Sequence, residues 1–328
     1  MTLAYQPARL ITLINNKGMR ITCMDLGATW LSCRLPTGKD LQEVLLGGAR
    51  HEDYQNQSAY LGATIGRYAN RIANGCYEHN GEIIKLSTNQ NGNTLHGGPD
   101  GFDRKTWQIE TIAEDNVIFT LTSPDGDQGF PGEVKAVATY SLRNDNSVTI
   151  DYRAYSSAST PINLSNHAYF NLNDAQNGDD SRSHYLKINA SRYLPVDQQG
   201  IPISGLRNVE GTRFDFRRRR RIRNDYDHAF LLDTESDYPH SPCLSLTSAQ
   251  NKLTMDLFTN KPAVQIYTGR WLAGTPNRRH GVYKAHAGIA LETEFLPDTP
   301  NHSHWPQPDC FFSNDEIYQF TTCYRFSW

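Results

Sequence analysis

Apolar and polar residues alternate with a period of two along most of this chain. Between 147 and 154, Val148, Ile150, Tyr152 and Ala154 share one side, with Thr149, Asp151 and Arg153 opposite. Leu253, Met255 and Leu257 alternate with Lys252, Thr254 and Asp256, and Val117, Phe119 and Leu121 repeat the spacing. Successive strand side chains point to opposite faces, so the pattern predicts half-buried antiparallel strands with one wet face. Asn74-Gly75, Asn80-Gly81, Asn91-Gly92, Asp125-Gly126 and Asn177-Gly178 punctuate these runs. Such dipeptides tolerate the positive φ angles of tight hairpins. Helical spacing is nearly absent, and only a short stretch around Glu52–Gln57 reads as helix. Many short strands between such turns predict an all-β sandwich or barrel. With no linker, low-complexity tract or internal repeat, a single domain over residues 1–328 is expected.

Composition narrows the function. A formal net charge of −3 gives no chain-wide field for nucleic acid or an anionic membrane. The one strong charge run, Arg217 to Arg221, is local and reads first as a solvated loop or edge strand, with an anion or partner patch as the alternative. Met1 to Gly18 has no apolar core of signal-peptide length, and no segment approaches the ~20 apolar residues of a membrane helix. The six cysteines are scattered without a C-x-x-C pair, unlike a zinc site or a disulfide scaffold. A cytoplasmic protein with reduced thiols is the expectation.

The densest chemistry lies in Asn163-Leu164-Ser165-Asn166-His167-Ala168-Tyr169-Phe170-Asn171-Leu172. Read as one strand, it puts Ser165, His167 and Tyr169 on one face and Leu164, Asn166 and Ala168 on the other. A polar face with His and Tyr suits a site that binds hydroxyls and moves protons, although the segment taken alone favours a hydrogen-bonded structural histidine. Three further clusters stand far off in the chain. Gly66–Ile72 (GRYANRI) is followed by Leu95-His96-Gly97-Gly98, Asp225–His228 leads into an apolar run, and Ala290–Asp298 carries two acids. Alternation there sets Ala290, Glu292 and Glu294 opposite Ile289, Leu291 and Thr293, so Glu292 is expected to be partly desolvated. Each cluster also has a plain reading: Arg67 and Arg71 as surface ion pairs, His96 as a loop histidine, Asp227 as a turn cap, Glu292 as an edge charge. His302-Ser303-His304 reads as polar surface before it reads as a metal site.

Taken in order, the motifs resemble the galactose mutarotase (aldose 1-epimerase) family, in its bacterial form, from about Gly27 to Tyr324. The matching elements are Gly66–Ile72, Leu95–Gly98, Gly101-Phe102-Asp103, Asp127–Gly132, Asn166–Leu172, Tyr193–Asp197, Tyr226-Asp227-His228, Leu291–Glu294 with Pro297-Asp298, and Trp305–Phe311. So many separate motifs in one order are specific where a lone pattern is not. The resemblance implies a large antiparallel β-sandwich (a supersandwich) with a sugar cleft on one sheet. It implies His167 as general acid and Glu292 as general base, with Asn70, Arg71, His96, Tyr169, Asp227 and Gln265 holding the sugar. It implies a free aldose such as galactose or glucose as the partner, and neither cofactor nor metal.

The chemistry agrees with those residue types. Exchanging anomers needs a proton taken from the C1 hydroxyl and another given to the ring oxygen, with no redox step and no covalent intermediate, so a carboxylate and an imidazolium suffice. Nearby carboxylates would keep His167 charged, and apolar neighbours would make Glu292 more basic. Glu294, two residues on, could couple to that titration. Three rival readings remain. A hexose 6-phosphate mutarotase would recruit the arginine run. A non-catalytic sugar-binding module would be expected to lack His167 or Glu292. A glycoside hydrolase would use Glu292 with Asp227. The preferred aldose and the choice between monomer and homodimer are left open.

Overall fold

A computed structural model describes residues 8–233, 238–250 and 252–328. The alternating segments form strands close to the expected places: Ser147–Ser156, Thr254–Thr259 and Asn116–Ser123. They belong to a nine-stranded antiparallel sheet, in whose middle the long Ile317–Ser327 strand pairs with Ser147–Ser156 on one side and Thr254–Thr259 on the other. A six-stranded sheet follows the order Tyr169–Phe170, Ile289–Glu294, Ala263–Tyr267, Asp227–Leu231, Arg192–Tyr193 and Arg207–Asn208. A four-stranded sheet begins at Leu10–Ile14. The fold is the all-β sandwich that the alternation predicts.

The turn signals behave as their chemistry dictates. Asn80 (φ 53°) and Gly81 (φ 82°) take the left-handed conformation and join Cys76–His79 to Glu82–Lys85 as a tight hairpin. The helix is one short turn, His51–Gln55, slightly earlier than expected. It ends there because no apolar face extends it.

One core connects the two larger sheets. Val117, Phe119, Ile150, Met255 and Tyr324 from the nine-stranded sheet meet Phe230, Val264, Ile266, Ile289 and Leu291 from the six-stranded one. Burying a side chain of this size contributes about 1.5–3 kcal/mol. The packing therefore fixes which face of the six-stranded sheet looks inward. By the same alternation, Gln265 and Glu292 look away from that core.

The segment 163–172 departs from the single strand that its pattern suggests. Ser165–Asn166 pairs with Thr64–Ile65, whereas Tyr169–Phe170 pairs with Ile289 and Ala290 in a different sheet. The break is made by Asn166, whose side-chain oxygen accepts the Ala168 N–H (3.0 Å) while its amide donates to Gly62 O (2.8 Å) and Tyr140 Oη (3.1 Å). A side chain that bonds its own backbone competes with the strand ladder. His167 bridges the gap, with its N–H on Ala63 O (2.9 Å) and its carbonyl accepting from Gly62 (3.0 Å).

Candidate active site

The polar residues kept off the core converge on the other face of the six-stranded sheet. Glu292 lies opposite Gln265 in the strand register, and Asp227 begins the next strand. Gln265 Nε2 donates to Asp227 Oδ1 at 2.6 Å. Arg71 reaches over from its own short strand, donating from Nε to Gln90 (2.7 Å) with Nη2 3.5 Å from Asp227 Oδ2. These groups and the loops above them enclose a cavity of about 370 Å³, within the size of small-molecule sites. All eight residues named from the sequence line it: Asn70, Arg71, His96, His167, Tyr169, Asp227, Gln265 and Glu292. Ser165, expected on the same face as His167, does not, because the chain turns at Asn166.

Asn70 (φ 64°) and His96 (φ 54°) both hold the left-handed conformation that side chains rarely adopt. Each secures the other: Asn70 N–H donates to His96 Nδ1 (3.1 Å), and His96 N–H donates to Asn70 O (3.0 Å). Gly97 must follow, since a Cβ there would run into the Gly66 carbonyl. Accepting at Nδ1 leaves the proton of neutral His96 on Nε2, where it can donate into the cleft.

At the cavity floor His167 Nε2 stands 3.5 Å from Glu292 Oε1, and the two residues are 4 % and 2 % exposed. Tyr60 stacks on the His167 ring at 5.6 Å, with His96 and Tyr169 at 5.3 Å and 4.9 Å. His167 Nδ1, Glu292 Oε2 and Gln265 Oε1 are buried without a hydrogen-bond partner among the described residues. Buried polar atoms are nearly always paired, so this cluster of orphans marks where a polar ligand belongs.

Burial dominates the electrostatics. It pushes His167 down to about 4 and His96 well below the usual imidazole range. It also raises Glu292 well above the usual carboxylate range, with Glu294 and Asp227 adding to the effect and Arg71 opposing it. Against the expectation that nearby carboxylates keep His167 charged, loss of solvent outweighs the pull of Asp227 and lowers its pKa. The expectation for Glu292 agrees in direction. Burial thus favours the neutral form of both groups.

His96, His167 and Glu292 each bring a donor atom to within 4.8 Å of the others, a spacing that could hold a metal ion. Their chemistry does not fit one. His96 Nδ1 already accepts from Asn70 and its Nε2 carries the proton, so neither ring nitrogen offers a lone pair.

Tyr60, Tyr267, Trp271 and Gln90 also line the cavity and were not named from the sequence. Tyr267 was within reach, since alternation along Ala263–Tyr267 sets it on the Gln265 face. Tyr60, in a loop with φ 57°, leaves no such trace. The arginine run lies elsewhere. Arg217 pairs with Asp215 and Glu210, and Arg220–Arg221 is the edge strand of the nine-stranded sheet. No residue of the run lines the cavity, so a hexose-phosphate reading cannot draw on this run. His302 is likewise structural, bonding Asp298 (3.1 Å) and stacking on Trp305 at 4.1 Å.

Comparison with known proteins points the same way. The family model described as Aldose 1-epimerase matches residues 9–325. The chain is 49 % identical to the aldose 1-epimerase of Escherichia coli K12 over 98 % of this chain and 96 % of that one. It is 37 % identical to human galactose mutarotase over 87 % of this chain and 84 % of the other. A solved aldose epimerase homologue from C. elegans superposes with a TM-score of 0.90 at 27 % identity, covering 98 % and 99 % of the two chains.

Proposed function

The chain belongs to the aldose 1-epimerase family, and from that premise we infer that His167 and Glu292 are the acid and base with which it interconverts the α and β anomers of free hexoses such as galactose and glucose. The observation that carries this assignment is the 3.5 Å approach of His167 to Glu292 on the floor of a polar cavity.

Glu292 takes the proton of the C1 hydroxyl while His167 gives one to the ring oxygen. The C1–O5 bond breaks to an aldehyde, C1–C2 rotates, and closure on the other carbonyl face returns both protons. Two protons move in each direction, so the pair always carries one: on His167, facing carboxylate, with the ring closed, and on Glu292, facing neutral imidazole, with the ring open. Burial disfavours the charged pair and so favours the second arrangement, the protonation state that accompanies the open chain. A docked pyranose supports the first: its hydroxyl donates to the Glu292 carboxylate and its ring oxygen accepts from His167. Each proton transfer is worth about 10²–10⁴-fold.

Asn70, Arg71, His96, Asp227 and Gln265 supply donors and acceptors at several positions, with Tyr169 beside His167. Asp227 can accept from two adjacent hydroxyls. These groups hold the C3–C6 end of the sugar and leave C1 free to rotate. The test is polarimetric mutarotation of fresh α-D-galactose and α-D-glucose. His167→Ala and Glu292→Gln should each lose about 10²-fold or more in kcat; a Glu292→Gln enzyme turning over at the wild-type rate would sink the assignment of the base.

A further inference from the structure

A second carboxyl lies beneath the sugar-holding residues, and no step above uses it. Glu294 follows Glu292 by two positions on the Ile289–Glu294 strand, on the same face, and is 0 % exposed. Its Oε1 accepts from Asn70 Nδ2 at 2.9 Å. Its Oε2 is buried with no hydrogen-bond partner among the described residues. With its nitrogen so held, the Asn70 amide turns its oxygen toward Arg71, accepting from the backbone N–H (2.9 Å) and from Nη1 (3.4 Å). Arg71 in turn meets Asp227, which accepts from Gln265. A continuous polar chain therefore runs from Glu294 through Asn70, Arg71 and Asp227 to Gln265, the strand neighbour of Glu292.

We propose that Glu294 is a positioning residue for the sugar: it anchors the Asn70 amide in the orientation that presents its oxygen to Arg71 and steadies the Asn70 backbone on which His96 depends. This rests on the reading that Asn70, Arg71 and His96 hold the substrate. Glu294 itself is sealed beneath them and acts only through Asn70. Burial pushes its carboxyl up to about 8, against the opposing pull of the Asn70 bond, Lys261 and Arg71. At neutral pH it is chiefly a neutral acceptor, which spares the site a second negative charge beside Glu292. An amide of the same shape should then do the same work.

The experiment is steady-state mutarotation of α-D-galactose by Glu294→Gln, Glu294→Met, Asn70→Ala and the double variant Asn70→Ala/Glu294→Met, each with its thermal midpoint. Glu294→Met removes the acceptor and should raise KM roughly 10-fold, with a smaller change in kcat. Glu294→Gln restores the acceptor and should rescue KM to within about two-fold of wild type. In the double variant, loss of Glu294 should add less than about two-fold to the effect of Asn70→Ala, because coupled residues are not additive. If Glu294→Met does not fold, Glu294→Asp, one methylene too short to reach Asn70, should show the raised KM in its place. Wild-type KM in the folded Met or Asp variant, or effects that multiply in the double, would overturn the proposal. Wild-type KM in Asn70→Ala alone would show instead that the reading of the sugar site had failed, and the proposal with it.

Discussion

Glu43 and Glu292 are both buried carboxylates, 1 % and 2 % exposed, yet they sit in opposite kinds of environment. Around Glu43 everything is already bonded. Its Oε1 accepts the Cys33 N–H (2.8 Å) and the Leu45 N–H (3.1 Å), its Oε2 accepts from Ser32 Oγ, and Arg278 lies 3.9 Å away. Glu292 has an imidazole at 3.5 Å and an oxygen with no partner. A carboxylate with all its bonds made locks a fold, because any change leaves its partners unpaired. One left incomplete is free to exchange a proton with something that arrives later. Burial does not distinguish these roles; the number of satisfied atoms does.

The sharpest test of that contrast is to remove each carboxylate and read both rate and stability. Glu292→Gln should lower kcat about 10²-fold or more while the thermal midpoint holds or rises, since no made hydrogen bond is lost. Glu43→Ala should do the reverse. It takes the carboxylate away from Arg278, which keeps its bond to Leu31 O, and leaves two backbone donors unpaired, costing about 3–5 kcal/mol in denaturant unfolding, with KM unchanged in the protein that stays folded. If the two variants gave the same pattern, the distinction drawn here would be wrong.

A smaller effect is expected at Asp227, which is both bonded and open to the cleft. Asp227→Ala should raise KM roughly 10-fold, in keeping with the ~1.5–3 kcal/mol of a hydrogen bond to a charged group, and lower kcat less. A variant changed only in kcat would place Asp227 among the proton-moving groups.

The pH dependence of kcat/KM, which reports the free cleft, refines the picture of one shared proton. The pair is competent while it holds one proton. Below about pH 4 the depressed His167 takes up a second, and activity should fall. On the alkaline side activity should fall again where Glu292 gives its proton up, at a pH well above the usual carboxylate range because burial holds that proton on. A profile that bends near pH 6.5, the ordinary imidazole value, would mean that His167 is solvated after all.

The smallest effect should come from the arginine edge. Arg218 and Arg221 are exposed and outside the cavity. Arg218→Ser and Arg221→Ser should shift stability within about 0.5 kcal/mol and leave the kinetics alone. A KM change for a phosphorylated hexose would reopen the reading in which this run serves the site.

Much of the site was legible because strands write their faces into the sequence. Alternation alone set Glu292 with Glu294, and His167 with Tyr169. Order and spacing of the motifs supplied the other residues named from the sequence that line the cavity. What escaped has a physical cause in each case. The break at Asn166 depends on a side chain reaching Gly62 and Tyr140, which lie distant in the chain. Tyr60 comes from a loop with no period to read. The downward shift of His167 escapes the sequence because proximity to carboxylates shows in a motif, whereas exclusion of water does not.

The sequence by itself determined the strands, their inward and outward faces, the family and the residues proposed for proton transfer, because periodicity and side-chain chemistry are local properties. Only the tertiary structure decided how close His167 comes to Glu292, which buried atoms among the described residues are left unpaired, and how far burial moves the two groups from their ordinary titration ranges. Those depend on loops closing over a sheet and shutting out solvent, and desolvation belongs to the assembled fold rather than to any stretch of chain.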